Sequence, residues 1–209
     1  MARAGWLIVW IAFIVYALLL APDGRGEDPI FLDLIQLRST EPSLLAMFSL
    51  LGLYPLAYAC LLLRSDVRRV PAWPFVIAAF ALGAFALIPY YILNRNDIRS
   101  YRDSRAPQWI LRLVRSPIVL VLLLLGTLAV MGYGLLNGHA EEYREAFGSS
   151  RFVNVMTIDF VVLTLLSVYA IYRDEDRPPL HAGVAWIGIL PIVGLLVYIW
   201  LTRHKARMA

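Results

Sequence analysis

Apolar stretches close to the ~20 residues that a helix needs to cross a hydrocarbon core alternate along this chain with short charged runs. That punctuation predicts an all-α, polytopic transmembrane helical bundle, a single integral membrane domain of about six spans near 5–21, 43–63, 74–93, 118–136, 152–172 and 184–201. The first stretch carries Trp6 and Trp10 at one end, and L-L-L-A-P is a poor cleavage site, so it is expected to stay as a helix rather than leave as a leader. F-L-D-L-I-Q-L, from Phe31, is a short amphipathic piece expected to lie along the interface. The second and third spans should form a hairpin through R-S-D-V-R-R-V-P-A-W-P, with kinks at Pro55 and Pro89.

Composition agrees with a lipid solvent: 60% of the 209 residues are hydrophobic, only 16% are charged, and the mean hydropathy is +0.69. The net charge of +4 sits in loops beside apolar spans, where insertion and anionic lipid explain it without a nucleic-acid partner. A single cysteine, Cys60, allows neither an internal disulfide nor a thiolate cluster.

The most basic segment, R-N-D-I-R-S-Y-R-D-S-R-A-P-Q-W-I-L-R-L-V-R-S-P, holds Arg95, Arg99, Arg102, Arg105, Arg112 and Arg115 against Asp97 and Asp103. It is expected to lie at the interface and to contact anionic lipid or a partner. Six full spans put both termini on one side, but basic residues then divide nine against ten, with Arg144 and Arg151 on the termini's side and the arginine-rich segment opposite. That segment tilts its own side toward the cytoplasm or stroma; a re-entrant third span would change the answer. Each half also shows a lone helix, a polar linker and a hairpin with a charged turn. Three spans per half would make inverted halves, with Pro89 and Pro191 marking broken helices.

Asp159 is the most unusual residue, a carboxyl group about seven residues inside the fifth span, roughly 10 Å deep. It should face the bundle interior, and Asn154 and Thr157 are polar neighbours; the group is either a proton or ion site or a structural clasp between helices. His139, His181 and His204 lie at span ends or in the tail without metal-ligand spacing, so no metal site is expected, and one of them binding a pigment is a minor alternative. Tyr90, Tyr91, Trp73, Trp109, Trp186 and Trp200 fit an aromatic belt. Gly134 with Gly138, and Ala79 with Gly83, make small-residue steps that permit close helix approach, inside the bundle or against a partner. No protease, hydrolase, P-loop or dinucleotide motif is present, so no catalytic residue is assigned and no enzyme is expected.

The stretches P-A-W-P-F-V-I-A-A-F-A-L-G-A-F-A-L-I-P-Y (71–90) and S-R-F-V-N-V-M-T-I-D-F (150–160) resemble a family of uncharacterised polytopic membrane proteins of cyanobacteria and plastids that carry a domain of unknown function. The resemblance covers most of the chain from the first span to the fifth. It implies a cyanobacterial plasma or thylakoid membrane and brings no catalytic residues. The leading expectation is a non-enzymatic membrane protein, accessory to or assembling a membrane complex, with the bilayer and other subunits as partners. A small-solute or proton-coupled transporter using Asp159, and a pigment- or lipid-binding protein, are the alternatives; the cofactor stays open.

Overall fold

The computed structural model describes residues 2–22, 29–36, 38, 41–64, 70–94, 107–174 and 182–203. Among these the elements are all helical: α1 (Ala2–Val15, prolonged by a π turn at Tyr16–Leu20), α2 (Pro29–Ile35), α3 (Pro42–Leu62), α4 (Trp73–Leu82), α5 (Ala84–Leu93), α6 (Gln108–Val114), α7 (Pro117–Asn137), α8 (Ala140–Ser149), α9 (Arg151–Tyr172), a 3-10 helix (Ala182–Ile189) and α10 (Val193–Thr202). The chain is thus an all-α membrane protein. α3, α7 and α9 are each long and apolar enough to cross a bilayer. α1 crosses beside α9 in the opposite direction: Trp6 packs on Tyr169 near one end of α9, and the Tyr16 hydroxyl donates to Asn154 near the other. Helix starts follow from local chemistry. Proline stands in the first turn of α3, α4 and α7, and the Glu41 and Ser150 side chains accept the free N–H groups opening α3 and α9.

The third apolar stretch does not span. A continuous helix would separate Trp73 from Leu93 by ~30 Å, yet Asn94 exchanges two hydrogen bonds with the Val70 backbone and the Phe75 and Tyr90 rings lie 5.7 Å apart. The chain enters, turns at Gly83 (φ +52°, ψ −127°) and leaves on the side it came from. The sixth stretch does the same at Ile192 (φ +59°): a side chain on Gly194 would collide with the Ile187 carbonyl, and Thr202 at the exit meets Arg64, which is paired with Asp174 at the end of α9. The expected spans 74–93 and 184–201 are therefore re-entrant hairpins, because one positive-φ residue at the midpoint reverses each helix where a proline kink would only bend it. α3 continues unbroken through Pro55, and Pro89 lies within α5.

The two halves repeat, but they are not inverted. Tyr54 meets Thr164, Tyr58 meets Ser167 and Arg64 meets Asp174, so positions climb together and α3 and α9 run parallel. Landmarks recur 109 positions apart, the separation of the axial pair Tyr58 and Ser167: the caps Glu41 and Ser150, the reversal points Gly83 and Ile192, and the last hairpin residues Leu93 and Thr202. Two spans and one hairpin per half give an even number of crossings, hence halves related about the membrane normal.

This topology changes which charged residues share a face. The ends of α3 and α9, both mouths of each hairpin and the start of α7 share one face, here the hairpin face, while α2 and α8 lie toward the opposite one. Among the described residues Arg3, Arg64, Arg112, Arg115, Arg173 and Arg203 belong to the hairpin face and Arg38, Arg144 and Arg151 to the other.

Small residues are used internally. Gly134 lies against Ala46 and Gly138 against Ser43, which lets α7 press onto α3, and Ala79 is buried. The remaining surface of α7 is apolar and exposed, with Ile118, Leu122, Leu125 and Leu128 facing outward as a lipid contact requires.

Candidate functional site

Asp159 projects from α9 at the ninth position of that helix, ~12 Å from its start. It is buried at 4% exposure, and its Oδ1 accepts from the backbone N–H of Ala84 at 2.8 Å. Ala84 opens α5 just past the Gly83 reversal. The carboxyl group therefore takes the place water would take at a helix N-terminus, where free N–H groups and the partial positive charge of α5 converge. Its Oδ2 lies directly over Gly83, so close that any side chain there would overlap it. Glycine is needed twice at that point, for the left-handed φ and for the space. From α1, Trp10 Nε1 donates to the Phe85 carbonyl at 3.0 Å and Phe13 stacks on Phe85, so the hairpin tip is gripped from two sides.

The site occurs once. The residue 109 positions before Asp159 is Leu50, so the second hairpin tip has no equivalent carboxylate from α3. A buried polar ladder instead joins the two central helices: Tyr54 to Thr164 at 2.5 Å, and Tyr58 to the Leu163 carbonyl at 2.9 Å and to Ser167 at 3.2 Å.

Asn154 and Thr157, expected beside Asp159, do not join it. Asn154 takes the Tyr16 hydroxyl and donates to the Phe147 carbonyl, while Thr157 pairs with Tyr143 of α8 at 2.6 Å. Residues two and five positions before Asp159 point 140–160° away from it around the helix, at ~100° per residue. Arg112 and Arg115 lie on and just after α6; Arg95, Arg99, Arg102 and Arg105 lie outside the described residues, as do His181 and His204.

At the hairpin mouths each half clamps the other. Arg64, following α3, pairs with Asp174 and donates to Thr202 at the end of α10, and Tyr198 also donates to Asp174. Its counterpart Arg173, following α9, donates to the Asn94 carbonyl at the end of α5. On the opposite face Glu41, His139 and Glu142 bring three possible ligand atoms within 4.8 Å of one another, a set that could hold a divalent cation. Sequence spacing hides it because Glu41 and His139 are 98 positions apart. Glu41 already caps α3, accepting from Ser43 and from the His139 N–H at 2.8 Å. Burial pushes its carboxyl upward, but those donors, with a hydrogen bond shared with Glu142, outweigh it and hold the group at about 2. Glu142 is shifted upward by the same neighbour.

Comparison with protein-family models, curated proteins and solved structures finds no match. The site is built around Asp159. Its chemistry is that of one ionisable carboxyl group, inside the membrane-spanning depth, at the tip of a broken helix.

Proposed function

We propose that this protein is a proton-coupled carrier of a small solute, with Asp159 as the proton site. The observation that carries the reading is the carboxyl group of Asp159 bound to the N-terminus of α5 at the reversal of a re-entrant hairpin. Acids within spans are rare and serve ion or proton pathways, and carriers place such groups where discontinuous helices end. Protonation of Asp159 weakens its hold on the Ala84 N–H, so proton binding is coupled to the position of the hairpin tip. An accessory role in a larger complex has less support, since the small-residue steps that motivated it are filled inside the bundle. The membrane we propose is that of a cyanobacterium or plastid, on the resemblance of the two quoted stretches.

The test is current from purified protein in liposomes, measured under a pH gradient against a panel of amino acids, sugars, organic acids and inorganic ions. At least one solute should give a current that D159N abolishes without loss of folding. Absence of both current and proton-driven uptake with all of them, or equal transport in D159N, contradicts the reading.

A further inference from the structure

A cleft of about 540 Å³ opens on the hairpin face between α6, the start of α7 and the end of α10. Arg64, Arg112, Arg115 and Arg203 line it together with Gln108 and Ser116, and no carboxylate is among the lining residues. The charge of Arg64 is balanced by Asp174. The other three make no ion pair among the described residues: Arg115 donates to the Arg64 carbonyl at 2.7 Å, and Arg203 lies over the Trp200 ring. Three cations gathered around one cleft repel each other unless an anion joins them. The 21-residue helix α7 adds to the positive field, because its first residues border the cleft and its cap, Ser116, makes no side-chain capping bond.

The walls select the kind of anion. Guanidinium groups present forked donors that match phosphate oxygens. Leu120 and Ile199 supply apolar wall below them, on helices that run into the bilayer. α6 itself buries Leu111 and Val114 while exposing Trp109 and Leu113, as a helix lying in the headgroup layer does. We propose that this cleft seats the phosphate headgroup of an anionic phospholipid from the hairpin-face leaflet. The inference is independent of the transport reading.

Native mass spectrometry of the purified protein with equal phosphatidylglycerol and phosphatidylcholine tests it. Wild type should retain the anionic lipid at least about tenfold better, and R112Q/R115Q/R203Q should lose that preference at an unchanged melting temperature. If the triple variant does not fold, R112Q and R203Q singly should each reduce the preference. Equal retention of both lipids, or an unchanged preference in the variants, overturns the proposal. Displacement of the lipid by the same concentration of glycerol phosphate would reassign the cleft to a soluble phosphate ester and overturn the lipid assignment.

Discussion

Asp159 Oδ1 and the Ala84 nitrogen, 75 positions apart in the chain, form a 2.8 Å hydrogen bond that fixes the tip of the first re-entrant hairpin to α9. The bond makes one side chain responsible both for a backbone reversal inside the membrane depth and for the ionisable group placed there.

Removing the acceptor and removing the charge should separate. Asp159→Ala strands a buried N–H and should cost about 1–3 kcal/mol. Asp159→Asn keeps a carbonyl oxygen for Ala84 and should cost less than half of that. Thermal unfolding in detergent checks the pair; equal losses would mean that the charge, and not the acceptor, holds the hairpin.

Gly83→Ala should be more damaging than either. The new methyl group must overlap Asp159 Oδ2 and the backbone must keep φ at +52°, a conformation L residues rarely adopt. Overpacking and backbone strain together should cost more than about 3 kcal/mol, seen as a lower melting temperature and reduced folded yield. Gly52→Ala, where a methyl group meets open space, is the matched control.

The clamp at the hairpin mouths is a buried pair, with Arg64 and Asp174 side chains 7% and 6% exposed. Breaking either partner alone removes a buried ion pair and should cost roughly 3–5 kcal/mol. R64Q/D174N together should cost clearly less than the two single losses added, and a double-mutant cycle by chemical denaturation measures the difference.

Glu41 predicts an acid-side dependence of stability. Its folded value of about 2 lies below the ordinary 4.5, so the unfolded chain binds the proton first and the contribution is fully present above about pH 4.5. It should fade as pH falls toward 2. The melting temperature of wild type should exceed that of E41Q at pH 6, and the gap should narrow over that window; a gap independent of pH would contradict the assignment.

Much of the fold was legible because hydropathy reports helix position well: the second and fifth spans were expected at 43–63 and 152–172, and α3 and α9 run Pro42–Leu62 and Arg151–Tyr172. Crossing and doubling back were not distinguishable that way, since ten apolar residues in and ten out have the hydropathy of one span. One signal did bear on the reversal, the near-even division of basic residues that six crossings impose; Gly83 in A-L-G-A-F reads in sequence as a packing step, and only its φ shows the turn. Asp159 stood out by its depth, but its partner is a backbone N–H, which every residue except proline carries and no sequence pattern marks. The polar grouping with Asn154 and Thr157 failed because chain proximity is not face proximity on a helix.

The entry and exit of the first hairpin on one face is the claim on which the Asp159 site depends, and single-cysteine labelling tests it most directly. In a Cys60→Ser background, Ser65→Cys and Ser104→Cys flank the hairpin in sequence and should react with a membrane-impermeant maleimide from the same side of oriented vesicles. Labelling from opposite sides would mean that residues 73–93 cross the membrane, and would contradict the account.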